Sequence, residues 1–249
     1  MNTHISPTQR LALVTGANKG IGYAVAEGLL GRGMTVYLGA RDTYRGTSAV
    51  SALVARGYDA RFVQLDVTDQ ASVDAAAMTI AQDAGELDIL VNNAGVLATP
   101  IHAPSATSVD EMRETYEINV FGVVAVTNAM LPLLRRSAAA RIVNITSNLG
   151  SVSLAASSRG FPQLLAYNSS KASLNAITVT YANELRNAGI LVNAVSPGSV
   201  ATDQNGHGGV LTAEQGALLP IRMATLPSDG PTGTAVTADE DLTHHRLPW

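Results

Sequence analysis

The feature that most constrains this chain is a regular alternation between short, continuously apolar runs and longer segments of helical periodicity. Leu11–Thr15 (LALVT), Met34–Gly39 (MTVYLG), Arg61–Asp66 (RFVQLD), Asp88–Val91 (DILV), Arg141–Ser147 (RIVNITS) and Ile190–Ser196 (ILVNAVS) read as strands. Apolar and polar residues do not alternate along them, so both faces of each strand need cover, as in a parallel sheet held between two layers of helices. Helical patterns fill the gaps at 20–32, 43–56, 69–84, 108–135 and 166–188. Gly33, Gly57, Gly85 and Gly189 stand where those helices should stop. Successive β-α-β units cross over right-handed, and the pattern predicts an α/β fold with a doubly wound parallel sheet, in one domain over 1–249.

Composition fits that layering. Only 14% of the 249 residues are charged, against about 25% in an average domain. A sheet covered on both faces accounts for much of the deficit, and a partner subunit covering helices 108–135 and 166–188, in a homodimer or homotetramer, would account for the rest. A net charge of −4 and a pI near 5.7 argue against nucleic acid as a partner, since such binders carry a basic stripe or a pI above about 9. The absence of cysteine removes disulfides, thiolate metal sites and cysteine nucleophiles together, and fits a cytoplasmic location. MNTHISPTQR has no basic-then-apolar leader pattern. The most apolar stretch, Val120–Leu134, is interrupted by Thr127, Asn128 and Pro132 and falls short of the roughly 20 residues of a membrane span. No membrane is expected. The stretch 197–234 is rich in Gly, Pro, Thr and Ser, with one helical patch near 212–224. It follows the last strand at the end where such sheets bind ligands, so it reads as a substrate loop and not a second domain. The tail 239–249 is polar and poorly periodic.

The first strand runs directly into Gly16-Ala17-Asn18-Lys19-Gly20-Ile21-Gly22. Glycines between a strand and a helix let backbone approach a pyrophosphate, and the helix N-terminus offers free N–H groups and a positive dipole end. The spacing is GxxxGxG, not the GxGxxG of ordinary dinucleotide-binding turns. After the second strand come Arg41 and Asp42. An acid there would hold the ribose 2′-OH of NAD, and an arginine the 2′-phosphate of NADP. Arg41 comes first, and Lys19 adds a second cation on the same side, so the pattern favours NADP(H); Asp42 also suits a helix N-cap. Asp66, ending the third strand, reads equally as an adenine contact or a cap. Asn92, Asn93, Ala94 and Gly95 follow the fourth strand; two amides, a small residue and a glycine suit a segment packed against a cofactor, or a plain turn.

The sharpest constellation is Ser147, at the end of the fifth strand, with Tyr167 and Lys171. Tyrosine and lysine four apart share a helix face. A neighbouring ammonium stabilises phenolate and should lower the tyrosine pKa from about 10, fitting Tyr167 to exchange a proton in an alcohol–carbonyl interconversion. Ser147 would hydrogen-bond the same oxygen.

In this order, TGANKGIG, NNAG, Asn119 in EINVFG, Ser147, YNSSK and Pro197-Gly198 resemble the short-chain dehydrogenase/reductase family across roughly residues 10–200. The resemblance implies a Rossmann-like fold, NADP(H) as cofactor and a small carbonyl or alcohol substrate. It also implies site roles. Tyr167 would be the acid/base, Lys171 would tune it and hold the nicotinamide ribose, Ser147 would orient the carbonyl, and Asn119 would hold a water. Asp66, Val67, Pro197, Gly198, Val200 and Thr202 would line the cofactor, Thr202 at its carboxamide. TGANKGIG with the GARD ending of the second strand is most similar to the NADPH-dependent carbonyl reductases. Two departures leave the substrate and the oligomer open. The gap of 20 residues between Ser147 and Tyr167 is longer than the family's common spacing but shorter than the insertion of its monomeric carbonyl reductases. The C-terminal strand also lacks the DGG ending of ketoacyl reductases. A β-ketoacyl or other secondary-alcohol oxidoreductase is the alternative substrate class. A non-catalytic NADP(H)-sensing protein would not need the intact Tyr167 and Lys171.

No paired zinc spacing links His4, His102, His207, His244 and His245, and no metal is expected. The chain has neither a GxSxG nucleophile elbow nor a Walker Gly-Lys-[Ser/Thr] sequence.

Overall fold

The computed structural model describes residues 9–97, 102–158, 160–239 and 241–249; His4 lies outside them. Six of its strands coincide with the expected runs: β1 (Leu11–Thr15), β2 (Thr35–Ala40), β3 (Ala60–Gln64), β4 (Ile89–Asn92), β5 (Arg141–Ile145) and β6 (Leu191–Ser196). Two more strands extend the sheet, β7 (Ala235–Ala238) and β8 (His244–Arg246). The order is β3-β2-β1-β4-β5-β6-β7-β8, parallel except for β8, which runs antiparallel to β7 with His245 opposite Thr237. The six-strand expectation is therefore corrected to eight. A four-residue strand and an exposed, polar three-residue edge carry too little apolar pattern to stand out.

Helices cover both faces. On one side α1 (Gly20–Leu30), α2 (Thr43–Val54) and α8 (Ala213–Ala224) bury Val25, Leu29, Leu53 and Ile221 against Val14, Val36 and Val91. On the other, α3 (Gln70–Asp83), α5 (Gly122–Leu134) and α7 (Leu165–Leu185) close over Leu13, Leu90, Ile142 and Val192 with Ile80, Met130 and Leu185. Gly33, Gly57, Gly85 and Gly189 all lie at positive φ (70–85°), where a residue with a Cβ is strained.

The segment expected as one helix over 108–135 is a continuous helical stretch with a defect. It consists of α4 (Val109–Tyr116), a single π-turn over Glu117–Phe121, and α5. Including α4, the stretch Val109–Leu134 has 26 residues and is apolar and long enough to cross a bilayer, unlike the shorter Val120–Leu134. Half of its apolar window is buried within the chain, and the fully buried Asn119 and nearly buried Thr127 lie on its inner side, which is how a core helix of a layered domain is used. The 20-residue gap before Tyr167 contains α6 (Val152–Ser157). Its start is tied to the tail by Ser153 N–H, which donates to the Trp249 carbonyl at 3.0 Å.

Candidate active site

Between β1 and β4 the chain reverses its direction of travel across the sheet, and loops leaving the carboxyl ends of two such strands bound a crevice. Here those loops are the glycine turn and Asn92–Gly95, and they are bonded to each other. Thr15 Oγ1 accepts from Asn93 N at 3.0 Å and Ala94 N at 2.9 Å. Asn93 Nδ2 donates to Thr15 O at 2.8 Å and Gly16 O at 3.2 Å. A Cβ on Gly16, which has φ +62°, would stand 3.0 Å from Ala94 Cα. One on Gly22 would stand 2.4 Å from Asn93 Nδ2 and 2.6 Å from Gly16 O. Behind them Asn92 Nδ2 donates to Asn144 Oδ1 at 2.9 Å and Thr127 Oγ1 at 3.1 Å, so the second loop is braced from the core as well. Lys19 occupies the N-cap of α1 without a side-chain cap bond, and the first turn holds no acid. The free N–H groups there, beside half-buried Asn18 and Ile21, suit an anionic group such as a pyrophosphate.

Ala17 N–H donates to Gly39 O at 3.0 Å, which sets the glycine turn against the end of β2, where Arg41 and Asp42 follow. Asp42 caps α2, accepting from Arg45 N at 2.9 Å, as its N-cap reading expected. Arg41 is exposed and makes no contact ion pair among the described residues. Asp66 accepts from Thr68 N at 3.0 Å and Thr68 Oγ1 at 2.7 Å. The Thr68 N–H, with that hydroxyl and the charge of Arg41, holds its carboxyl below the usual carboxylate range against the opposing effect of burial. Val67 packs where a Cβ on Gly122 would meet its Cγ2 at 2.8 Å. Of the two expected cations, the Lys19 ammonium is engaged by Asp203.

β5, α7 and the π-turn bring the remaining groups together. Ser147 follows β5 and caps the tight turn Asn148–Gly150, its hydroxyl accepting from Leu149 N at 3.2 Å. Tyr167 and Lys171 lie in successive turns of α7, and the Lys171 Nζ stands 5.7 Å from the Tyr167 ring centroid. Lys171 is 5% exposed, and its ammonium donates to Ile145 O at 2.8 Å. No carboxylate pairs with it among the described residues. Gly150 lets the turn touch α7, since a Cβ there would lie 2.7 Å from Lys171 backbone. Gly95 does the same for the cradle, its Cβ position being 3.2 Å from Asn119 Oδ1 and 3.5 Å from Lys171 Nζ. Asn119, fully buried, sits in the π-turn, a defect that recurs at functional sites. Its Oδ1 accepts from Val96 N at 2.8 Å, and its Nδ2 donates to Val96 O at 2.9 Å and Ser170 Oγ at 3.1 Å. It clamps the backbone that follows Gly95.

The electrostatics correct one expectation. Burial pushes the Tyr167 phenol up from 10, with the Ser147 hydroxyl hydrogen bond acting against it, whereas the spacing alone predicted a lowered value. Burial also brings Lys171 down from 10.5 to about 8. Spacing gives proximity but says nothing of desolvation, and here desolvation is the larger effect on both groups.

Beyond β6, Pro197 and Gly198 begin the expected substrate loop. Gly198 has φ +86°, and a Cβ on it would lie 3.1 Å from Ala238 O. Val200 is 5% exposed, pairs with Leu211 and fills the space over Gly216, so it anchors the loop. Thr202 caps the turn Asp203–Asn205 and reaches to within 3.9 Å of a Cβ placed on Gly20. Asp203 and Gln204, which the sequence did not single out, carry the loop across the crevice: Asp203 bonds Lys19, and Gln204 donates to Gly95 O. Each described histidine has a local partner, His102 with Glu111, His207 with Asp203, His245 with Asp239 and His244 with Arg222. Among the described residues no group of three metal-ligating side chains is found.

Residues 10–208 match a family model described as short chain dehydrogenase. The chain is 34% identical to short-chain dehydrogenase/reductase 1 of Saponaria officinalis, over 93% of this chain and 95% of that protein. It is 36% identical to (+)-neomenthol dehydrogenase of Arabidopsis thaliana, over 91% and 95%. Both alignments, over 289 and 283 positions, exceed the 249 residues of this chain, so those relatives carry inserted segments that it lacks. Among solved structures, the NADPH-bound carbonyl reductase from chicken fatty liver superposes with a TM-score of 0.83 at 28% identity, covering 97% of this chain and 99% of that one.

Proposed function

The chain belongs to the short-chain dehydrogenase/reductase family, and from that premise we propose that it is an NADPH-dependent carbonyl reductase, interconverting a small ketone or aldehyde and its alcohol. The observation that carries the reading is the convergence of Ser147, Tyr167 and Lys171 on the side of the crevice where Gly95 meets Lys171 and Asn119. Gly20, with nothing nearer to its missing Cβ than Thr202 Cγ2 at 3.9 Å, leaves backbone open to a dinucleotide pyrophosphate, while Gly16 and Gly22 let the two loops of the cradle pack together. Arg41, without a contact ion pair among the described residues, offers a planar fork to a 2′-phosphate. The buried ammonium of Lys171, which donates to Ile145 O and has no other hydrogen-bond partner among the described residues, has donors left for ribose hydroxyls. The bound nicotinamide cofactor supplies the hydride. The carbonyl reductase relative with NADPH bound supports the same cofactor.

The chain's own residues perform the proton chemistry. Ser147 donates to the substrate oxygen and fixes it beside Tyr167. As negative charge builds there, the Tyr167 phenol transfers its proton to it, and the positive charge of Lys171 stabilises the phenolate left behind. Because burial holds the phenol above its usual pKa, Tyr167 stays protonated through neutral pH, which suits the reductive direction. Lys171, with a pKa of about 8, is charged below that value and neutral above it. Carbonyl reduction is therefore expected to be flat up to about pH 7.5 and to fall about tenfold per unit above about pH 8.5. A pH–rate profile still flat at about pH 10 would remove Lys171 charge from the mechanism.

The function is tested by NADPH oxidation against ketones, aldehydes and ketoacyl esters, with NADH in parallel. Turnover on at least one carbonyl is expected, and none on any of them would overturn the enzymatic reading. Arg41→Ala should weaken NADPH by about tenfold or more, as loss of a charge-assisted phosphate contact does, and leave NADH nearly unchanged. Equal losses for the two cofactors would remove the 2′-phosphate assignment.

A further inference from the structure

We propose that Asp203 is a specificity-determining residue: it competes with a cofactor 2′-phosphate for Lys19, and so couples the loop over the crevice to the kind of dinucleotide bound. The inference rests on the cofactor reading given above and adds a residue that opposes the phosphate.

Asp203 is held in place. The neck of its loop is closed by Ala201 N–H donating to Leu211 O at 2.8 Å and Leu211 N–H donating to Ser199 O at 2.9 Å. Asn205 Nδ2 donates to Val200 O at 2.9 Å, and Thr202 N–H donates to Asn205 Oδ1 at 3.1 Å. From this frame one carboxylate oxygen of Asp203 meets Lys19, and the other faces His207 Nε2 at 3.1 Å. A second tie, Gln204 to Gly95 O, fixes the loop to the opposite side of the crevice. The loop is thus pinned at both strand ends that bound the cradle, at one end through a charge.

That charge matters because of where Lys19 sits. The glycine turn lies against the end of β2, from which Arg41 follows, so a phosphate held by Arg41 enters the same corner. There the two cations are already faced by two carboxylates, Asp203 on Lys19 and Asp66 under the influence of Arg41. A dianionic phosphate must draw Lys19 away from Asp203 or lie against an uncompensated carboxylate. A cofactor without the phosphate leaves the pair intact. Lys19 and Asp203 are each 57% exposed at the side chain, so the pair is weak and readily exchanged. Reciprocity requires the converse: phosphate binding loosens the Asp203 tie, leaving Gln204–Gly95 to hold the loop.

The test is a double-mutant cycle read by equilibrium binding of NADPH and NADH to the full chain, using cofactor fluorescence. Asp203→Asn should tighten NADPH about threefold, within the range of an exposed ion pair, and leave NADH within about the error of the assay. Lys19→Gln should weaken NADPH. In the chain carrying both changes, the gain from Asp203→Asn should vanish. An equal shift for both cofactors, no shift, a weakening of NADPH, or a gain that survives without Lys19 would each overturn the proposal. If Lys19→Gln weakens NADPH but Asp203→Asn changes nothing, the competition fails alone. If Lys19→Gln leaves NADPH binding unchanged, the Lys19 part of the cofactor reading fails with it.

Discussion

Tyr167→Phe is expected to lower carbonyl turnover by about a thousandfold, within the range that loss of a positioned proton donor produces, while NADPH binds with a Kd within about twofold of the native value. The substitution removes one oxygen from a half-buried ring and keeps its volume, so packing in α7 and the position of Lys171 are retained. It removes the hydroxyl assigned to deliver a proton to the substrate oxygen. The Ser147 hydroxyl remains and can polarise a carbonyl, but besides Tyr167 it is engaged by Leu149 N–H and Asn148 Oδ1, and an aliphatic hydroxyl is a far weaker acid than a phenol. Retention of more than a few percent of native turnover would show that the assignment of Tyr167 is wrong. A parallel loss of NADPH affinity would show instead that the phenol serves binding.

What was legible in the sequence, and what was not, follows from which interactions are local. Strands such as Val36–Ala40 in β2 or Val192–Val195 in β6 are buried on both faces, so burial is written into the run itself. β8 is three residues, His244–Arg246, partly or fully exposed, and exists because β7 offers it an edge; nothing in HHR signals that. Gly16 and Asn93 directly follow their strands, and Gly22 lies in the first turn of the helix that leaves the first, so their closeness in space follows from strand order. By contrast, Lys19 and Asp203 lie 184 residues apart, and only the closing of a loop over the crevice joins them. The π-turn is intermediate. A run of periodicity over 108–135 cannot show one extra residue in a turn, although a buried Asn119 on an apolar helix face is the kind of misfit that accompanies such a defect. The direction of the Tyr167 shift failed for the same reason as β8: it depends on what surrounds the side chain, not on its spacing from Lys171.

That desolvation leads to a second large effect, with opposite signs for stability and activity. Lys171→Met should raise the thermal midpoint of the cofactor-free chain and abolish most of its turnover. An ammonium whose pKa falls from 10.5 to about 8 on folding costs about 3 kcal/mol at neutral pH, at about 1.4 kcal/mol per pH unit. The sign follows from proton binding: between about pH 8 and 10.5 the unfolded chain holds a proton that the folded chain has released, so native stability rises with pH across that window and the full cost applies below it. Methionine is of similar length, carries no charge and suits the buried site. It leaves Ile145 O without its donor, at about 1 kcal/mol. The net gain of about 2 kcal/mol corresponds to roughly 4–8 °C for a chain of this size. Turnover should fall by at least about a hundredfold, because nothing then stabilises the phenolate of Tyr167. Thermal unfolding of both chains at pH 7 and pH 10 separates the contributions. The native chain should gain on the variant as pH rises, and the two should converge near pH 10. A variant less stable than the native chain at pH 7 would show that the buried ammonium is compensated by its surroundings, and the about-pH-8 break in the reduction profile should then be absent as well.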